Sequence, residues 1–291
     1  MALLCLLLGH SRQGYYRQAR RAEKEALESE LLIQQVEQHR KLQPKIGARK
    51  LLEVINGFML TAGIVPGRDA FFDLLREHGL LVRKRRCRKP RTTFSCFWMH
   101  KYPNLAKDLV PTGPNQLWVS DITYVRVRKG FGYLSLITDA YSRKIVGFCL
   151  RRDLSAKGCV AALKMALRNN PERKGLIHHS DRGLQYYSSG YMKLLGPGIR
   201  ISMTEKSDPR ENALAERVNG ILKIELLKER FDSFSEAQAS IAIAVSTYNH
   251  LRPHSSIDML VPAVAHTLSG PLKRRWKNYY SASKQKEVAM V

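Results

Sequence analysis

Three carboxylates stand where a strongly basic chain gives them little reason to be. Asp121 interrupts a β-rich run, 117–127, in which alternation puts Val119, Asp121, Thr123 and Val125 on one face. Aspartate is disfavoured in strands, although an exposed strand face would tolerate it. Asp181 closes the short apolar run "GLIHHSD" just before Arg182-Gly183, a place that an ordinary turn aspartate also takes. Glu216 lies on the helix predicted over "SDPRENALAERVNGILKIELL", whose start is marked by Asp208 as N-cap, Pro209 at the first helical position and Glu211 three residues after the cap. In that register Leu214, Val218, Ile221, Leu222 and Leu226 form an apolar stripe, and Asn212, Glu216, Asn219 and Lys223 share another face. Glu216 has Asn212 and Gly220 four residues to either side, so neither of the positions that often pair with a surface glutamate on a helix is basic.

Carboxylates from two strands and one helix can converge at a sheet edge and hold two divalent cations. Magnesium takes hard oxygen ligands, keeps several waters and is commonly completed by substrate phosphate oxygens. Two such ions about 4 Å apart activate a water or a 3′ hydroxyl on one side and stabilise the leaving oxygen on the other. That is phosphodiester chemistry.

The elements that must position these groups fall into an order. Three β-rich runs, 117–127, 132–139 and 143–151, form a meander. A helix over "SAKGCVAALKMALRNN" follows, with Ser155 as N-cap and Pro171 past its end; then come a strand in "GLIHHSD", a helix in "SSGYMKLL", a strand in "GIRISMT" and the helix of Glu216. The order βββαβαβα is that of a mixed α/β sheet flanked by helices.

The N-terminal half is of another kind. Residues 15–43 alternate charged residues with Ala, Leu and Ile; Leu27, Leu31, Val36 and Leu42 keep a helical period, and Pro44 stops the helix. It is either a solvated amphipathic helix or a dimer seam. Residues 46–82 break into short helices at Gly57, Gly63 and "VPGRD", the last with Phe72, Leu75 and Leu80 on its apolar face and Gly79 as a stop, a pattern that suits a helix-turn-helix. Residues 83–91, "RKRRCRKPR", hold seven basic side chains, and no acid occurs from His78 through Lys107. Such a run is a solvated linker or a phosphate-tracking arm; Phe94, Phe97 and Trp98 after it dock the linker or stack on bases. The expected organisation is a helical segment at 1–45, a helix-turn-helix-like DNA-binding region at 46–82, a basic linker at 83–110, a catalytic core at 111–270 and a basic tail at 271–291.

A formal charge of +24 on 291 residues favours a polyanionic partner, with nucleic acid ahead of an anionic membrane surface. Hydrophobic content of 44% is enough for a real core. Five scattered cysteines without CxxC spacing argue against a disulfide framework or a zinc cluster. "MALLCLLLGH" lacks the basic start and small-residue cleavage site of a signal peptide, and no apolar run nears the roughly 20 residues of a membrane span. A cytoplasmic protein is expected.

The motifs "WVSDITYV", "HHSDRGLQYYSS" and "SMTEKSDPRENALAERVNGILKIE" resemble the integrase core of bacterial insertion-sequence transposases of the DDE type, those encoded by a second reading frame and related to retroviral integrases. "GHSRQGYYR" and "ARKLLEVIN" with "GRDAFFDLLREHGLL" resemble that family's N-terminal helical and helix-turn-helix segments, and "YNHLRPHSSIDMLVPAVAH" its C-terminal signature, so the likeness covers nearly the whole chain. The resemblance implies a ribonuclease-H-like fold with Asp121, Asp181 and Glu216 as the catalytic and metal-binding triad for two magnesium ions, with manganese able to substitute. Asp181 and Glu216 are separated by 34 residues, close to the family's habit. It also implies DNA at element ends and target as partner, a homo-oligomer, a first-frame transposase product as a further partner, and a nucleoid-associated bacterial protein. DNA contacts are expected from Arg83, Lys84, Arg85, Arg86, Arg88, Lys89 and Arg91, and from His179, Asn212, Asn219 and Lys223, of which His179 otherwise orients its loop and the other three otherwise position Glu216. Asp139 resembles a recurrent structural acid. Where the family pattern leads one to expect a glycine turn after Arg252-Pro253-His254, this chain has Ile257-Asp258-Met259. The expected reaction is magnesium-dependent strand cleavage and strand transfer. A non-catalytic DNA-binding regulator and a nuclease without strand transfer are the rivals.

Overall fold

The computed structural model describes residues 7, 9, 11–82, 102–205 and 209–273. The basic run 83–91, the aromatics Phe94, Phe97 and Trp98, most of the opening segment, the cap Asp208 and the tail from 274 lie outside the described residues. The chain divides into two compact units, residues 1–85 and 86–291.

In the first unit α1 spans Arg12–Leu42, begun by Ser11, whose Oγ accepts the Gly14 N–H at 3.0 Å. Its period differs from the expected one: Leu32 and Val36 are buried, whereas Leu27 and Leu42 are exposed. Only its C-terminal turns pack on α2 (Ala48–Ala62) and α3 (Arg68–Glu77), in a core built on Val36, Leu51, Ile55, Phe71 and Leu75. The exposed part is charged on all sides and carries the pairs Arg21–Glu25 and Lys24–Glu28 at one-turn spacing. On α3 the buried face is Phe71 with Leu75, four residues apart, while Phe72 is partly buried. Gly79, after α3, takes a φ of 65°, the left-handed conformation that ends a helix without a Cβ clash.

The second unit is a five-stranded sheet in the order β3-β2-β1-β4-β5. β1 (Leu117–Val127), β2 (Gly130–Asp139) and β3 (Ile145–Arg151) form the antiparallel meander; β4 (Ile177–Ser180) and β5 (Arg200–Met203) add in parallel on the other side of β1. This is the ribonuclease-H-like arrangement. β3 starts two residues later than predicted because Arg143 turns the chain at a φ of 68°.

Helices cover both faces. α4 (Ala156–Asn169) packs Cys159, Ala162, Leu163 and Ala166 against Trp118, Ile137 and Val146. A Cβ at Gly147 would stand 2.2 Å from the Ala162 carbonyl oxygen, so only glycine lets helix and strand meet there. α5 (Ser189–Leu195) joins the same layer. On the opposite face, α6 (Ala213–Ile221) and α7 (Phe234–His250) bring Val218, Ile221, Leu222, Ile241 and Tyr248 onto Val125, Leu134, Leu136 and Ile145.

The helix of Glu216 is not continuous, which corrects the sequence reading. A 3-10 turn, Pro209–Asn212, precedes α6, and a π turn, Leu222–Leu226, follows it. Asn212 leaves helical geometry at φ −125°, ψ 30°, and its Nδ2 donates to the Ser120 carbonyl at 3.0 Å, docking the helix start on β1. The π turn brings Glu225 to Arg252, which is 1% exposed and donates to both carboxylate oxygens at 2.8 and 3.0 Å. Nearby, Asn249 pairs with both the N–H and the carbonyl of Ile145 at 2.9 Å, acting as a short extra rung on β3. Asp258 and Met259, where a glycine turn was expected, adopt φ values of 56° and 62°, so the left-handed turn persists without glycine. α8 (Pro262–Ala265) completes the unit.

Candidate active site

β1 and β4 run parallel with Val119 opposite His179, so Asp121 and Asp181 each stand two residues beyond a paired position, at one level of the sheet. The Asp121 Oδ1 accepts the Ile122 N–H at 2.9 Å and its Oδ2 accepts the Asn219 Nδ2 at 2.7 Å. The Asp181 Oδ1 accepts the Gly183 N–H at 3.1 Å. Glu216 is exposed on α6, and its charge reaches Asp121.

Asp121 feels the charges of the other two. Burial first, then the charge of Asp181 and also that of Glu216, push the Asp121 carboxyl up to about 7, against the opposing pull of its two hydrogen bonds. Asp181 is raised as well, by burial, with the Gly183 bond opposing. Among the described residues, no three His, Cys, Asp or Glu side chains stand close enough as placed to hold one ion between them. The carboxylates therefore share a field before they share a ligand geometry.

The shared face predicted from spacing lies along β1: Asn212 reaches the Ser120 carbonyl, Asn219 reaches Asp121, and Lys223 Nζ donates to the Thr123 Oγ1 at 3.2 Å. For three of the residues expected to touch DNA the structure gives a different place. His179 is fully buried, with Nδ1 at 2.8 Å from Ser202 Oγ and Nε2 at 3.0 Å from the Glu211 carbonyl, so it ties β4 to β5 and to the turn before α6. Burial holds its pKa below the ordinary value. Asn212 and Asn219 are buried too, and each leaves its Oδ1 without a hydrogen-bond partner. Lys223 is exposed. Arg83, Lys84, Arg85, Arg86, Arg88, Lys89 and Arg91 lie outside the described residues.

Asp139 is fully buried and caps a turn: it accepts the Asn115 and Ser142 N–H groups at 2.8 and 2.7 Å and the Ser142 hydroxyl at 2.7 Å. Tyr186, which helix and strand spacing do not single out, is buried beneath the site with its hydroxyl 3.1 Å from Ser120 Oγ. Its signal was the aromatic pair after the Asp181 turn.

Residues 111–209 match the integrase core domain, and residues 197–262 match a second integrase core domain model. The chain is 30% identical over 251 residues to the transposase for insertion sequence element IS904 of Lactococcus lactis, covering 84% of this chain and 96% of that one. The chain belongs to the insertion-sequence transposases with an integrase core. This transposase is also 34% identical over 267 residues to the insertion element IS600 uncharacterized 31 kDa protein of Shigella sonnei, covering 89% and 96% of the two chains. Among solved structures, a simian T-cell lymphotropic virus intasome in complex with a PP2A regulatory subunit is similar at a TM-score of 0.49 and 18% identity, over 80% of this chain and 79% of that one. The two matched segments of the transposase run from before β1 to the start of α8 and contain Asp121, Asp181 and Glu216.

Proposed function

We propose that the transposase cleaves one DNA strand at an element's end and joins the freed 3′ hydroxyl to a target phosphodiester, with Asp121, Asp181 and Glu216 as the residues that hold two magnesium ions. The observation that carries this reading is the buried Asp121 carboxyl at the β1–β4 edge, which burial first and then the charges of Asp181 and Glu216 push up to about 7. The donor set fits a hard cation: it is anionic and all oxygen, and the unpartnered Asn219 Oδ1 beside Asp121 is a buried acceptor suited to a coordinated water. Ions held there supply activation of the attacking hydroxyl and stabilisation of the leaving oxygen, and manganese substitutes for magnesium.

The chain's own residues do the positioning. Asn219 and the Ile122 N–H fix the Asp121 carboxylate, and the Gly183 N–H fixes Asp181. Glu216, exposed on α6, closes on the other two from the solvent side. Lys223, exposed on the π turn after α6 and anchored to Thr123, contacts a DNA phosphate. The basic run 83–91 neutralises backbone phosphates. Cutting two ends in one complex calls for a homo-oligomer, and a first-frame product shares in recognising the ends. The reaction takes place on bacterial nucleoid DNA.

The test is cleavage of a labelled DNA end by purified protein. Asp181→Asn is expected to abolish magnesium-dependent cleavage and joining while retaining duplex binding; a variant that still cuts removes the assignment, and a wild-type protein that binds ends without cutting them identifies a regulator.

A further inference from the structure

The β1–β2 hairpin carries a feature that the carboxylate chemistry does not use. Residues directly opposite in an antiparallel pair point to the same side of the sheet. Tyr124 stands opposite Tyr133, Arg126 opposite Phe131, and Tyr133 opposite Arg151 on β3, so these five side chains share one face. The start of α4 lies over Ser135 and Arg151, where an added Cβ at Gly158 would meet both. Beyond that cover the aromatics lie open: Phe131 is 52% exposed, and Tyr124 and Tyr133 are partly exposed. The three rings pack edge to face, with centroids 5.3 and 6.0 Å apart around Tyr124.

Charge and position say what covers this face. Between Asp121 and Asp139 the chain has Arg126, Arg128 and Lys129 and no acid, and all three cations are exposed. Asp153, the acid nearest in sequence on the β3 side, is paired with Arg151 at 3.3 Å. β4 pairs with β1 only as far as Val119, so the β1 edge from Ser120 to Val125 has no strand partner among the described residues. Tyr124 lies three residues from Asp121 along β1, about 10 Å at the rise of a strand, and the odd offset sets the ring on the opposite face of the sheet, across this open edge from the carboxylate. Exposed rings among exposed cations match unpaired nucleotides, whose bases stack on aromatic faces while arginines take the phosphates, and the open β1 edge lies between these rings and the carboxylates.

We propose that Tyr124, Phe131 and Tyr133, with Arg126, form a stacking platform for single-stranded DNA leading away from the carboxylates. This rests on the proposed reaction for its purpose but not for its test, because the platform binds DNA whether or not the chain cuts it. The experiment titrates full-length protein with a single-stranded oligonucleotide containing 2-aminopurine and with a matched duplex, in the Asp181→Asn background and without divalent ions. Phe131→Ala is expected to weaken single-strand affinity roughly five- to tenfold and to remove most of the 2-aminopurine quench, with duplex affinity within about twofold. Phe131→Trp is expected to restore both, whereas Phe131→Leu, which keeps apolar bulk without a stacking face, is not. Arg126→Ala is expected to weaken both ligands and to lower the slope of log affinity against log salt by about one. Equal losses for single strand and duplex in Phe131→Ala, rescue by leucine, or a shift in melting temperature with no change in single-strand affinity would each overturn the proposal and leave the rings as a hairpin staple.

Discussion

Asp121→Asn is expected to make the metal-free protein more stable while removing its chemistry. The wild-type carboxyl rises from 3.8 to about 7 in the fold. A raised acid stabilises the fold fully only below its unfolded pKa, and that contribution is lost as pH rises through the folded value. At pH 8 the metal-free wild type therefore bears the full penalty of an ionised Asp121, at most about 4 kcal/mol at about 1.4 kcal/mol per unit. Partial exposure reduces this, and an asparagine has one acceptor oxygen where the carboxylate uses two, so it takes the Ile122 N–H or the Asn219 amide and not both, an offset of about 1–2 kcal/mol. The net gain is about 2 kcal/mol at pH 8, narrowing by about 1.4 kcal/mol for each unit below pH 7, so that it vanishes at about pH 5.5 and the variant is the less stable protein below that. Urea unfolding of both proteins with chelator at pH 8 and pH 5 measures it. An Asp121→Asn protein that is less stable by the same amount at both pH values would refute the reasoning, because the carboxylate would then be a satisfied polar group.

The other predictions concern the frame. Arg252→Met leaves Glu225 half-buried without its bidentate partner and is expected to cost about 3–5 kcal/mol; Arg252→Met with Glu225→Gln is expected to recover part of that in a double-mutant cycle, and strict additivity would contradict the pairing. Burial, with the charge of His179 beside it, holds His178 down at about 3. Because the unfolded chain takes up this proton below its ordinary value of 6.5, the wild type is expected to lose about 1.4 kcal/mol per unit from this group as pH falls from 6.5 towards 3. His178→Phe leaves the Tyr191 hydroxyl without its 2.9 Å partner and is expected to be less stable at pH 7.5, but to close that gap by about 3 kcal/mol at pH 4.5; a gap equal at both pH values would exclude a buried neutral imidazole.

The sheet was legible because its signals are local: alternation fixed the β1 boundaries, and the spacing of Asn212, Asn219 and Lys223 foretold which helix face meets β1. The features that escaped depend on distant partners. The π turn forms where Glu225 meets an arginine 27 residues on, and helical periodicity continues through it without a break. His179 could not be placed from sequence because all four residues of β4 are buried and such a strand has no alternation to read. Leu27 and Leu42 kept a helical period that only the middle of it uses, since α2 and α3 cover just the C-terminal turns of α1. Asp121 and Asp181 stand out in the sequence as residues out of place, and their common level follows from a parallel register that no single strand records.

The central claim is that Asp121, Asp181 and Glu216 form one cation site. Titration of manganese into the full chain, followed by the loss of its free-ion paramagnetic resonance signal, tests this with Asp121→Asn, Asp181→Asn and Glu216→Gln measured beside the wild type. The account predicts saturable binding that each substitution weakens at least tenfold, Glu216→Gln included. Wild-type manganese binding in Glu216→Gln, with loss only in the two aspartate variants, would contradict it.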